Sequence, residues 1–191
     1  MYPLKRLLVG IDQSPTDDIL IQFCARIANM VSADKIYLIH AARDLELPDA
    51  ILKKYPDLIA PVDENISRET NHLINKYFDD SLKSRTEILI VEGNPSKTIL
   101  KEITIKEIDM LVMGKKSQPG STGYLARKMA LLATCSVAII ADNIDFSNKK
   151  PLFKNVLVPV DFSDYSLPAL ELAKQLHEHK GVSNIESVRV G

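Results

Sequence analysis

Five short apolar runs recur along the first 142 residues, and each is separated from the next by a longer stretch, most of which carry apolar residues at helical spacing. The runs are Lys5–Asp12, Lys35–Ala42, Thr86–Glu92, Asp109–Gly114 and Ser136–Asp142. Between the first two, Ile19, Leu20, Phe23, Cys24, Ile27, Ala28 and Val31 repeat at the 3.6-residue period of an amphipathic helix. Ile66, Thr70, Leu73, Ile74, Tyr77 and Phe78 do the same before the third run, and Gly123 to Thr134 before the fifth. Ser14-Pro15 and Asn94-Pro95 read as helix caps followed by a proline in the first turn. Strands that alternate with helices and are apolar on both faces predict an α/β fold, a five-stranded parallel sheet covered on both sides. Right-handed crossovers leave few strand orders, of which 3-2-1-4-5 is the expectation here.

Two stretches break the alternation. Arg43 to Pro61 holds three prolines and little periodicity, which predicts a long irregular connection with a short helical turn near 50–54. Asn143 to Phe153 is polar and aperiodic, and reads as a linker. Beyond it, Lys154-Asn-Val-Leu-Val-Pro-Val-Asp-Phe-Ser163 repeats Lys5-Arg-Leu-Leu-Val-Gly-Ile-Asp-Gln-Ser14, with Lys, Leu, Val, Asp and Ser in register. A helical period at Leu167, Leu170, Ala173 and Leu176 and a candidate strand over 183–190 follow. So large an offset indicates a duplicated domain rather than a solenoid. The expected organisation is a complete domain at 1–142, a linker at 143–153, and a strand-helix-strand part of a second copy at 154–191. A unit that small rarely builds its own core, so it is expected to pack on the first domain or on another chain.

Charge narrows the partners. The chain carries 24 basic and 25 acidic residues, and the Lys pairs at 53–54, 115–116 and 149–150 are scattered. Nucleic acid and anionic membrane are therefore not expected partners. No apolar run nears the roughly 20 residues that span a bilayer, and the reading is of a cytoplasmic protein. Cys24 and Cys135 sit in apolar runs and read as core thiols. His40, alone on an apolar strand, reads as a packing residue, and His177 and His179 are spaced for different helix faces, not for a metal. Neither a phosphate-binding Gly-x-x-x-x-Gly-Lys-Ser/Thr loop nor a Gly-x-Ser-x-Gly nucleophile elbow occurs.

Ligands of open parallel sheets bind beyond the carboxyl ends of the strands, where strand order reverses. With the expected order this lies between the first and fourth strands, which end at Asp12 and Gly114. Asp12 can accept hydrogen bonds from a ribose or a base, or it can support the turn beside Ser14. Gly114 allows a close approach to backbone.

Leu8-Val-Gly-Ile-Asp12, Glu92-Gly-Asn-Pro95, Asp109-Met-Leu-Val-Met-Gly114, Gly123 and Ala133-Thr-Cys-Ser-Val137 resemble, in the same order, the motifs of the universal stress protein family. Val158-Pro-Val-Asp-Phe-Ser-Asp-Tyr-Ser166 is similar to that family's opening strand and cap, as in a tandem member. The resemblance implies an adenine nucleotide alpha hydrolase-like fold and a role in the stress response. It also implies an adenine nucleotide, ATP or AMP, with magnesium if ATP. By the same resemblance the adenosine lies against Ile11, Asp12, Ala41, Met113 and Gly114, and the phosphates near Ser117, Gly123 and Tyr124. The nucleotide-binding branch carries Gly-x-x-Gly, nine residues, then Gly-Ser or Gly-Thr. This chain keeps Gly114, has Ser117 at the second glycine and five residues in place of nine, and ends in Gly123-Tyr124. Dimerisation, or interdomain pairing, is implied through the last strand of the first domain, Ser136–Asp142. A nucleotide-responsive binding module, a slow ATP hydrolase and a ligand-free dimerising scaffold are the three functions that follow, and no catalytic residue is identified.

Overall fold

A computed structural model describes residues 4–42, 62–116, 123–144, 146, 151–164, 166–179 and 181–190. The first domain is a five-stranded parallel sheet in the order β3-β2-β1-β4-β5, as expected. Its strands are β1 (Arg6–Gly10), β2 (Lys35–Ala42), β3 (Thr86–Glu92), β4 (Met110–Lys115) and β5 (Ser136–Ala141). The helices are α1 (Thr16–Val31), α2 (Val62–Tyr77), α3 (Asp80–Ser84), α4 (Pro95–Ile105) and α5 (Tyr124–Leu132). The short α3, capped by the Asp79 side chain on Leu82 N–H, has too few residues to show a period and was not foreseen. The connection read over 43–61 lies outside the described residues.

Side chains alternate across each strand and so sort the core into two layers. Leu7, Val9, Ile36, Leu38, Met110 and Val112 face α1. Leu8, Tyr37, Ile39, Leu111 and Met113 meet Ile99, Ile103, Ala126 and Met129 of α4 and α5 on the other side. At the amino ends of the central strands, Asp109 Oδ2 accepts the N–H groups of Lys5 and Arg6 at 2.7 and 2.8 Å, which ties β1 to β4. Helix α2 is fixed to α1 by Asp18, whose carboxylate accepts from the Tyr77 hydroxyl at 2.6 Å and the Lys76 ammonium at 2.9 Å. Those hydrogen bonds outweigh the burial that opposes the Asp18 charge and hold its pKa below the ordinary value. Cys24 is fully buried, which pushes its thiol up to about 12, and Cys135 is also raised by burial.

Two local readings need correction. Ser14 does not cap α1: no side-chain cap bond is made there, and the helix entry is held instead by an acid inside its first turn, Asp17. A serine followed by proline carries the usual cap signature, but Asp17 reaches back to the turn from the second helical position. The stretch 143–153 is not simply a solvated linker. Phe146 and Leu152 are buried and join the core around α1, and Phe153 already begins a strand.

Beyond it, β6 (Phe153–Val160), α6 (Leu167–Glu178) and β7 (Val182–Arg189) form a separate two-stranded parallel sheet with its own helix. The local geometry of β1-α1-β2 recurs in it. Val156 pairs with Ile185 as Leu7 pairs with Ile36, and Asn155 with Asn184 as Arg6 with Lys35. Gln13 and Phe162, at matching positions, are both left-handed, with φ of 58° and 62°. Asp12 accepts the Ser14 N–H at 3.1 Å, and Asp161 accepts the Ser163 N–H at 2.9 Å.

This segment docks on α1 through apolar contact. Phe153, Leu172, Leu176 and Val182 belong to the same core as Phe23, Ile27 and Val31, and the Phe23 ring lies 5.5 Å from that of Phe146 and 6.1 Å from that of Phe153. Among the described residues no strand pair joins the two sheets, so the expected interdomain pairing through Ser136–Asp142 is not among their strand pairings. Burial of aromatic surface favours α1, because a helix with apolar residues on two sides gains more from a second cover than a strand edge gains from half a sheet. Phe23→Ala should lower stability by about 3–5 kcal/mol. Hydrogen exchange should then show protection falling across 153–190 more than across β1, β2 and β4; equal loss in both would place Phe23 in the first core alone.

Candidate functional site

A crevice of about 320 Å³ opens over the carboxyl ends of β1 and β4, where the strand order reverses. Ile11, Asp12, Ala41, Met113, Gly114, Gly123 and Tyr124 all line it, so the structure gathers these sequence-expected residues at one place. Ser117 lies outside the described residues. Thr16, Asp17 and Leu20 of α1, Pro95 and Ile99 of α4, and Lys116 complete much of the wall. His40 is not part of this wall; it is half-buried on β2, and burial lowers its pKa.

The polar edge is built by one tight turn. After β1 the chain passes through Gln13 in the left-handed region, a conformation that costs a non-glycine residue roughly 1–2 kcal/mol. Asp17 offsets that cost: its Oδ1 accepts the Asp12 N–H at 3.2 Å and its Oδ2 the Gln13 N–H at 2.7 Å. Asp12 Oδ1 accepts from Ser14 N–H, and its Oδ2 lies 3.2 Å from the Lys116 ammonium. Burial works against the Asp12 charge, but the hydrogen bonds from Ser14 and Lys116 outweigh it and hold the carboxyl below its ordinary pKa. Asp12 therefore does both things its sequence position allowed, supporting the turn and presenting a carboxylate to the crevice.

Gly114 serves a different neighbour than expected. A Cβ there would fall 2.6 Å from Thr16 Cγ2, so its lack of a side chain lets the first turn of α1 settle on β4. Gly123 stands at the amino end of α5 with φ of 54°. Tyr124 follows it at the rim, 67% exposed, with the Lys128 ammonium 5.8 Å from its ring. The first N–H groups of α5 have no partner within the helix, and the start of α5 and Lys116 line the same crevice, a setting that suits an anion. Among the described residues there is no cluster of three side chains able to hold a metal.

Asp17 is the functional-site residue that sequence reading missed. It is 4% exposed, and burial raises its pKa to about 6 against the stabilising N–H bonds from the turn. An acid in the first turn of a helix is common, and the signal available was comparison with the similar stretch after residue 153, where Ser166 stands at the matching position. Since the folded protein holds the Asp17 proton more tightly than the unfolded chain, stability should fall as pH rises from about 4 to about 6 and level off above. The full loss is about 3 kcal/mol. Asp12, Asp18 and Asp161, whose pKa values are lowered, act below pH 4 and with the opposite sign. Urea midpoints across this range should show the slope in the native chain and not in Asp17→Asn.

No helix among the described residues is long and apolar enough to cross a membrane. A search of curated protein sequences finds no significant match. Among solved structures, a universal stress protein in complex with cAMP is similar at 19% identity and a TM-score of 0.53, over 73% of this chain and 98% of that one. One from Lactobacillus plantarum is similar at 18% identity and 0.54, over 72% and 97%. A third, from Archaeoglobus fulgidus in complex with dAMP, is similar at 19% identity and 0.51, over 73% and 99%. These likenesses show the fold. Residues 3–141 match the sequence profile of the Universal stress protein family, and the chain belongs to that family.

Proposed function

We propose that the chain is a nucleotide-responsive binding module of the stress response, acting in the cytoplasm, whose ligand is an adenine nucleotide. The observation that carries this reading is the gathering of the adenosine-contacting candidates around one crevice at the sheet's reversal point. Ile11, Ala41 and Met113 supply apolar contact for a base, and Asp12 supplies an acceptor for ribose hydroxyls. Gly123, Tyr124 and the amino end of α5 lie where phosphates would need donors, with Lys116 alongside. Solved family members in complex with cAMP and dAMP support the same ligand class.

The residues fit the nucleoside better than a long phosphate chain. A crevice of this size matches a nucleoside monophosphate, Lys116 is already engaged by Asp12, and magnesium would have to be held chiefly by the phosphates of ATP. AMP should therefore bind at least as tightly as ATP with magnesium. Among the described residues of the crevice no nucleophile is hydrogen-bonded to a base, and binding rather than turnover is the proposed activity. The β6-α6-β7 segment is read as part of a second copy of the same domain, on the strength of its matching strand register and turn.

Self-association through β5 is part of the proposal. It is a sheet edge, with Ile139 40% exposed, and Leu131 and Leu132 of α5 are exposed nearby in the chain. Ile139→Lys should shift the chain from dimer to monomer in sedimentation; an unchanged mass would remove β5 from the contact.

Calorimetric titration with AMP, ATP and magnesium tests the ligand. Saturating AMP at 100 times its Kd should stabilise the fold by about 2.7 kcal/mol. Asp12→Ala should weaken binding about tenfold or more, the loss expected for a charge-assisted hydrogen bond. No response to millimolar nucleotide would overturn the reading.

A further inference from the structure

Among the described residues that line the crevice, Lys116 is the only cation, and it stands against two acids, Asp12 and Asp17. We infer that Lys116 selects a phosphorylated ligand over a neutral nucleoside, by exchanging its partner from Asp12 to the ligand's phosphate. The inference rests on the nucleotide reading and adds to it the means by which the site tells AMP from adenosine.

The ion pair spans the crevice. Asp12 follows β1 and Lys116 follows β4, the neighbouring strands at whose carboxyl ends the sheet order reverses. The Lys116 ammonium lies 3.2 Å from Asp12 Oδ2 and so joins one lip to the other. Both oxygens of Asp12 are thereby engaged, since Oδ1 accepts the Ser14 N–H. A ribose hydroxyl that approaches the oxygen left free by the turn meets the ammonium there. Adenosine, which carries no charge, can displace it only by leaving the cation without an anion. AMP brings its own anion, and the ammonium is a point charge on a flexible stem that can turn to meet it. The two side chains are 45% and 60% exposed, a setting in which an ion pair is weak enough to exchange.

Charge balance gives Lys116 its leverage. Its field favours the ionised form of Asp12 and opposes the burial that raises Asp17. Without it the lining carries carboxylates alone and repels a phosphate. Lys128 of α5 is not part of this wall; it donates to the Ser96 hydroxyl at 3.0 Å.

Calorimetric titration of the full chain with AMP and with adenosine tests the exchange. The native chain should prefer AMP. Lys116→Met should weaken AMP about fivefold and tighten adenosine about two- to fivefold, the range of an exposed ion pair, so the preference should shrink about tenfold or more. Lys116→Arg should keep the native preference. Adenosine bound no more tightly by Lys116→Met, AMP bound no more weakly, or an Arg variant that behaves as the Met variant does would overturn the inference. If the native chain binds neither ligand, the nucleotide reading falls and this inference with it; if it binds AMP and the preference does not move in Lys116→Met, this inference falls alone.

Discussion

Helix α1 is buried on more than one side, and most of the molecule is arranged by that fact. One side of it covers the sheet through Leu20, Cys24 and Ile27, all close to fully buried. Another meets Phe146, Phe153 and Val182 from the segment after the first domain. Its first turn sits on β4, a contact that the missing side chain of Gly114 permits. A helix held on several sides cannot shift without disturbing a core packed at nearly crystalline density. The same helix presents Thr16, Asp17 and Leu20 to the crevice, so the geometry of the site is set by the packing of the interior.

The turn between β1 and α1 shows how such rigidity is used. Gln13 adopts a backbone conformation unfavourable to its side chain, and Asp17 compensates with two hydrogen bonds to the turn. Asp12 is thereby carried past the end of its strand to the crevice edge, where Lys116 balances its charge. In the β6-α6 turn the corresponding backbone is stabilised differently. Ser163 donates to Asp161 through both its N–H and its hydroxyl, and those bonds hold the Asp161 pKa down at about 2. One backbone shape is thus reached by two sets of side-chain contacts, and only the first includes a buried acid.

The strands and most of the helices were legible in the sequence because they follow from periodicity, and crossover handedness narrowed the strand orders to a few. Asp12 and Gly114 could be placed at the ends of their strands from the pattern, whereas Ile11, Ala41 and Met113 were implied only by the family resemblance. Asp17 could not be assigned, because its role depends on how far its helix sinks toward the sheet, which no local pattern encodes. Phe146 and Leu152 were hidden for a related reason. Single apolar residues in a polar stretch acquire meaning only when a distant surface, here that of Phe23, is available to receive them. Ser14 misled because its local cap signature was strong and the competing acceptor lay three residues ahead.

The matching registers of β1–β2 and β6–β7 bear on how the chain acquires its shape. The two units differ at most positions, yet each pairs its strands at the same spacing across a helix. Strand alignment in such a unit is therefore encoded over a few dozen residues, without reference to the remaining strands. One polypeptide therefore carries the same strand alignment twice, and α1 is the surface on which the two occurrences meet.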